Sequence, residues 1–250
     1  KRDIENCEGN QITFMVHTGS RGFGHQIAKY YTDQAKTSGV KTARNYELFL
    51  SLEIAQTEGG KNMQDKKILV SYGEQAAEMV KKLLTEIKIE AELKQDNLIA
   101  LKPNLINATE SEKGATTDPE IVKGVIEYLQ ARNFNNLMII EGSWVGAETD
   151  EAFEVCGYQK LARDYDIPLY NLKNDNFIKK SYQGLEIEIA EKALQADYLI
   201  NFPVLKGHCQ TEITCALKNL KGCISDREKR KFHRQGLHQP IAYLNKLLKQ

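Results

Sequence analysis

From residue 67 onward, short apolar runs alternate with stretches in which apolar residues recur every three or four positions. Residues 67–72 (KILVSY), 97–101 and 137–140 are runs of the first kind and read as short buried strands. Between them Ala76, Ala77, Met79, Val80, Leu83, Leu84 and Ile87 keep one helical face, as do Ile121, Val122, Val125, Ile126 and Leu129. Thr117-Asp118-Pro119-Glu120 opens the second of these helices, with an acid at the cap and proline in the first turn. The pattern continues with a helix over about 150–156 that stops at Gly157, and another over 158–165. A fourth strand is predicted at 168–172, an alternating fifth at 185–189, a short helix at 190–195 and a sixth strand at 197–202. An amphipathic helix begins at 241–248 and reaches Gln250 without a cap signal, so the domain is expected to continue past that residue. Strands alternating with helices in this way predict an α/β protein, its sheet mainly parallel and flanked by helices.

The first sixty residues follow a different rhythm. Residues 11–16 (QITFMV) read as a strand that runs into HTGSRGFGHQ at 17–26, after which Ile27, Ala28, Tyr30, Tyr31 and Ala35 recur at helical spacing. In a strand, glycine-rich turn and helix, the glycines let backbone N–H groups face an anion, and Arg21 adds a planar fork. Leu48, Leu50, Leu52, Ile54 and Ala55 suggest a helix over 41–56, and TEGGKN at 57–62 reads as a linker. MQDKK at 63–67 resembles a natural start. The expected organisation is therefore a short strand–loop–helix appendage with its linker over 1–60, and a larger α/β domain over 63–250. The chain begins without Met, and an upstream portion is expected.

Composition narrows the function classes. Lys plus Arg equal Asp plus Glu at 34 each, so no global field argues for nucleic acid or an anionic membrane. The longest apolar runs fall far below the roughly 20 residues of a transmembrane helix. No secretory signal follows Lys1-Arg2-Asp3. The five cysteines, Cys7, Cys156, Cys209, Cys215 and Cys223, are an odd number, which fits free or metal-bound thiols in a reducing cytoplasm.

Candidate chemistry collects in residues 201–238, which hold three of the five cysteines, three of the five histidines and many lysines and arginines. In parallel sheets ligands gather at the carboxyl ends of strands. Four polar segments are placed at or just after such ends: Lys102-Pro103-Asn104, Glu141-Gly142-Ser143, Asp175-Asn176 and Lys206-Gly207-His208-Cys209. We therefore expect an anion site for a small phosphate- or carboxylate-bearing molecule, with Lys102, Asn104, Ser143, Lys218, Asn219 and Lys221 as ligand-binding groups. Lys206, His208 and Glu141 are the candidate catalytic groups, and His233 and His238 are further acid–base candidates. Cys209, Cys215 and Cys223 offer soft ligands for zinc or iron, although Cys215 also fits the apolar face of a helix over 212–220. Residues 226–234 read equally as a solvated charged face, and RKFHR at 230–234 as a patch for RNA contact. A metal-assisted or redox enzyme, an RNA-handling protein and a non-catalytic anion-binding module all remain open.

Two resemblances add to this reading. The run FMVHTGSRGFGHQIA resembles a signature of the RtcB family of RNA-splicing ligases, which join RNA ends using manganese and GTP. It implies His17 as a metal ligand, with Arg21 and the glycines lining the substrate and nucleotide site. Metal sites commonly take three or four protein donors, and this stretch supplies one. From Met63 onward, LKPNL, GATTDPEIVKGVIEYL, IIEGSWVG, NFPVLKGHCQTEITCALKNLKGCI and EKRKFHRQGLHQPIAYLN resemble a domain family of unknown function, numbered 362. Some of its relatives carry a ferredoxin-like cysteine run and are described as iron–sulphur proteins. That run does not occur in this chain.

Overall fold

Strand ends, more than any single helix, organise this chain. The computed structural model describes residues 11–17, 46–53 and 68–248, the first two segments by their backbone alone. In chain order the elements begin with β1 (Gln11–His17), β2 (Tyr46–Glu53), β3 (Ile68–Gly73), α1 (Ala76–Ile87), β4 (Ile99–Lys102), α2 (Pro119–Gln130) and β5 (Leu137–Glu141). They continue with α3 (Thr149–Val155), α4 (Tyr158–Asp164), β6 (Leu169–Asn171), β7 (Phe177–Tyr182), β8 (Leu185–Ala190), α5 (Glu191–Gln195) and β9 (Tyr198–Asn201). The last part holds β10 (Lys206–His208), β11 (Glu212–Thr214), α6 (Ala216–Asn219), α7 (Asp226–Gln235) and α8 (His238–Leu247).

Seven strands form the main sheet in the order β3-β2-β1-β9-β4-β5-β6. Strands β9, β4, β5 and β6 run parallel, β1 joins β9 in parallel, and β2 and β3 follow antiparallel. This is the α/β architecture expected from the alternation of strands and helices. The central strands read as unbroken apolar runs because both their faces are buried. Ile99, Leu101, Leu137, Ile139, Tyr198 and Ile200 face a core built with α1 to α4. Ala100, Met138, Ile140 and Leu199 face a second core with β8, α7 and α8.

Local signals account for the helices. Asp118 accepts a hydrogen bond from Glu120 N at 2.9 Å and Pro119 follows it, so α2 starts where cap and proline predict. Ser225-Asp226-Arg227-Glu228 is a capping-box sequence, and Ser225 Oγ accepts from Glu228 N at 3.2 Å to start α7.

Several expectations are corrected. Residues 46–53, expected within a helix, form β2: Leu48, Leu50 and Leu52 alternate with period two and pair opposite Val16, Phe14 and Ile12. Strand β1, expected in an appendage, hydrogen-bonds beside β9 in the main sheet. The fifth strand, β8, leaves that sheet for an antiparallel hairpin with β7. Gln183 (φ 48°) and Gly184 (φ 80°) supply the two positive-φ positions that a tight hairpin turn takes. The helix expected over 212–220 is divided: β11 pairs with β10, and only then does α6 begin. The glycine-rich turn, the helix over 27–35, Cys7 and the linker at 57–62 lie outside the described residues.

Gly124 marks where α1 and α2 touch most closely. A Cβ there would lie 2.6 Å from Ala77 O and 2.8 Å from Ala77 Cα, main-chain atoms that move only if a helix moves. Helix propensity alone favours Gly124→Ala by about 1 kcal/mol, whereas overpacking costs up to about 3 kcal/mol. We expect net destabilisation of about 2 kcal/mol by denaturant unfolding; a stabilised variant would contradict the close approach.

Candidate functional site

Because β9, β4 and β5 are parallel, their last residues, Asn201, Lys102 and Glu141, meet at one edge of the sheet. Lys102 is fully buried, and its Nζ donates to Glu141 Oε2 at 2.9 Å, Pro103 O at 2.9 Å and Asn219 Oδ1 at 3.3 Å. Glu141 Oε2 also accepts from Leu105 N at 3.1 Å, while Oε1 accepts from Gly142 N at 2.7 Å. Asn219 Nδ2 donates to Asn201 Oδ1 at 2.7 Å and to Pro103 O at 3.2 Å. Buried charges survive only when paired and hydrogen-bonded, and every member of this group is. Two glycines make room for it. A Cβ at Gly222 would collide with Glu141 Oε1 and lie 2.8 Å from Lys102 Nζ, and one at Gly142 would collide with Gly222 O.

Above this floor lies a cleft of about 340 Å³, lined among others by Asn104, Glu141, Ser143, Trp144, Lys206, His208, Lys218, Asn219, Lys221, Lys229 and His233. Lys206 Nζ donates to Asn104 Oδ1 and Ala115 O, both at 2.6 Å. Lys218 donates to Thr214 Oγ1 at 3.2 Å, and Lys221 Nζ lies 3.1 Å from His233 Nε2. Among the described residues no carboxylate lies within 4.0 Å of Lys206, Lys218 or Lys221. Burial, then the Lys218 charge, lowers Lys206 to about 7; burial, then Lys218 and Lys229, lowers Lys221 to about 8. Burial also pulls Lys218 and Lys229 down from the ordinary lysine value.

The histidines are held in defined tautomers. His208 Nδ1 accepts from Gln210 N at 3.2 Å and Thr211 N at 3.3 Å, which leaves the proton on Nε2. Burial, followed by Lys218, His233 and the other lysines, lowers His208 to about 4, so it is neutral at physiological pH. An ammonium has no acceptor, so His233 Nε2 receives a hydrogen bond from Lys221 and its Nδ1–H faces Gln210 Oε1 at 2.6 Å.

Nine of the residues expected at the site, Asn104, Glu141, Ser143, Lys206, His208, Lys218, Asn219, Lys221 and His233, line this one cleft. The role of one of these, and the places of other candidates, differ from the expectation. Lys102 lies sealed beneath the floor rather than in reach of a ligand. The Ser143 hydroxyl is engaged within its own loop, by Ala147 O and Thr149 Oγ1. Asp175 and Asn176 cap α5 instead: Asp175 Oδ2 accepts from Lys192 N at 2.8 Å and Asn176 O from Glu191 N at 2.8 Å. His17 ends β1, and its side chain lies outside the described residues.

The expected three-thiol metal site is not formed. Cys223 is packed in the second core, where burial raises it to about 12; Cys215 is half-buried and raised by burial; Cys209 is exposed beyond β10. Among the described residues no three His, Cys, Asp or Glu side chains are placed to hold a metal ion, so this donor set fits neither zinc nor an iron–sulphur cluster.

Lys229 is the residue that the solvated-face reading of 226–234 missed. It is buried, donating to Ser143 O at 2.9 Å, Gly142 O at 3.3 Å and Asp226 Oδ1 at 3.0 Å. The signal was present: the capping box starts a helix on which Lys229, Phe232 and His233 share a face at spacings of three and four.

The fold and this cleft define an α/β protein with a mainly parallel sheet and a lysine-rich cleft at the carboxyl ends of its central strands. Within that class the chain belongs to the family described as Domain of unknown function (DUF362), whose profile matches residues 99–250. A second profile, described as tRNA-splicing ligase RtcB, matches residues 3–116 and overlaps the first over 99–116. A thylakoid-associated protein of Synechocystis sp. is 28% identical over 141 residues, 56% of this chain and 43% of that relative. The chain thus spans less than half the length of that protein. Among the described residues no helix is long and apolar enough to cross a membrane.

Removing one partner of a buried ion pair strands the other charge, at about 3–5 kcal/mol. Glu141→Gln is expected to lose stability in this range by denaturant unfolding. The double variant Lys102→Met with Glu141→Leu should lose less, because it removes both charges. A cost under about 1 kcal/mol for the single variant would mean the pair is not buried as described.

Proposed function

We propose that the cleft binds a small molecule carrying a phosphate or carboxylate group, with Lys206, Lys218 and Lys221 as the cationic donors and the His208 Nε2–H as a neutral one. The observation that carries this reading is the charge arrangement. Glu141 is neutralised from below by Lys102, and Lys229 is paired with Asp226, whereas Lys206, Lys218 and Lys221 line the cavity with no carboxylate partner among the described residues. Half-buried cations whose acidity is raised by burial and then by neighbouring cations gain the most from an incoming anion, which restores their charged form. The volume suits a small ligand, and Trp144 adds an exposed apolar surface at the lining.

The sign of the pH dependence follows. Anion binding favours the ammonium forms, and Lys206 and Lys221 lose their protons near 7 and 8 in the free protein. Sulfate, whose own charge is constant over this range, is therefore expected to bind more weakly as pH rises from about 6 to about 9, by roughly tenfold or more. Isothermal titration should also show proton uptake on binding above about pH 7. Lys221→Met is expected to lower sulfate affinity by about tenfold or more. Saturable sulfate binding that is indifferent to both pH and Lys221→Met would reject the assignment.

A second reading attaches to the match with the tRNA-splicing ligase family: manganese- and GTP-dependent joining of RNA ends. Its signature is a covalent guanylate on the protein, read by intact mass after incubation with manganese and GTP. We expect no mass gain, since the resemblance assigns this chain one metal ligand, His17. A guanylate would favour this reading over the first.

A further inference from the structure

The lysines at this strand edge differ in what their nitrogens can do. Lys102 spends its three protons on three acceptors, one of them the Glu141 carboxylate. Lys229 is held in the same way by Gly142 O, Ser143 O and Asp226 Oδ1. In both, the N–H directions are taken up by three acceptors, one of them a carboxylate. Among the described residues Lys206 has two acceptors and no carboxylate.

Its Nζ sits between two neutral acceptors, Asn104 Oδ1 and Ala115 O, each at 2.6 Å. Those two take two of the nitrogen's hydrogens. The remaining tetrahedral direction holds a third proton in the ammonium form and a lone pair in the amine. The charged groups around it are Lys218 on α6 and Lys102 on β4, which favour the amine, and Glu141 on β5, which favours the ammonium but is committed to Lys102. With burial the largest influence, Lys206 falls to about 7, so near neutrality part of it carries a lone pair. A desolvated amine beside a second cation is the usual way a protein makes a lysine nucleophilic.

We propose that Lys206 is a nucleophile that forms an imine with the aldehyde or ketone carbon of a small molecule whose phosphate or carboxylate is held by Lys218 and Lys221. The inference rests on the anion-binding reading and names its ligand class, an anionic carbonyl compound. In the reaction the Nζ lone pair attacks the carbonyl carbon and a C–N bond forms. The two hydrogens that leave the nitrogen depart with the carbonyl oxygen as water, leaving C=N, and neither oxidant nor reductant is consumed. Asn104 Oδ1 and Ala115 O aim the nitrogen before attack. Lys218 and Lys221 place the anionic end, which raises the effective concentration of the carbonyl at Nζ.

The test uses pyridoxal 5′-phosphate as an anionic aldehyde and pyridoxal as its counterpart without the phosphate. Each is incubated with the full chain, reduced with borohydride and mapped by peptide mass spectrometry. We expect a single secondary amine at Lys206, formed at least about tenfold faster with the phosphorylated aldehyde and slowed by inorganic phosphate. Lys206→Arg, which keeps a cation but has no nucleophilic amine, should abolish that adduct. An adduct at Lys218 or Lys221, or spread over surface lysines, overturns the nucleophile assignment; sulfate binding then shows whether the anion reading stands without it. Labelling of Lys206 at equal rates by both aldehydes, unaffected by phosphate, overturns the ligand class and the anion reading together.

Discussion

Lys102 and Glu141 are buried as an ion pair at the point where the central strands end, and much of the surrounding structure is a consequence of satisfying it. Two charges removed from water need each other and a complete set of hydrogen bonds, or the core that holds them is destabilised. The Pro103 carbonyl, the Leu105 and Gly142 amides and the Asn219 side chain supply that set. The backbone at Gly222 has to approach so closely that no side chain fits there, and Gly142 meets Gly222 under the same constraint. In this way the pair draws together the ends of β4 and β5 and the segment after α6.

The pair also sets the electrostatics of the cleft. Among the described residues Glu141 is the one carboxylate lining the cleft, and it is paired with a lysine below the floor. Lys206, Lys218 and Lys221 then share a partly dry space with each other and with two histidines. Crowding and burial shift every one of these groups toward its neutral form. A site with no acid to spare and several reluctant cations is complementary to an anion and, at its most perturbed lysine, to an electrophile. Among the described residues the thiols form no metal-binding cluster: Cys223 is buried in the second core, Cys215 is half-buried and Cys209 is exposed.

Much of the fold was legible because it is written in short-range patterns. Unbroken apolar runs identified the central strands, three- and four-residue spacing identified α1 and α2, and Asp118-Pro119 located the start of α2 within a residue. Errors arose where period and partner disagreed. Leu48, Leu50 and Leu52 are a period-two set, and it is pairing with β1 that makes them a strand. Residues 185–189 alternate as a strand should, but the turn at Gln183-Gly184 folds them onto β7 and away from the main sheet. For the site, the strand-end rule picked out the segments after β4, β5 and β9, since parallel strands must place those ends on one edge.

The sequence by itself determined the α/β class, the strand ends at which polar groups collect, and most of the residue types of the cleft, because local periodicity and chain direction are properties of neighbours along the chain. Only the tertiary structure decided that Lys102 is sealed while Lys206 lines the cleft, that Lys229 turns inward from a charged helix, and that three cysteines within fifteen residues form no metal-binding cluster among the described residues. Those outcomes depend on burial and on partners more than thirty residues away, as between Lys102 and Glu141 or Lys206 and Asn104. Which carboxylate a lysine finds, and how much water it keeps, is fixed when the layers close on one another.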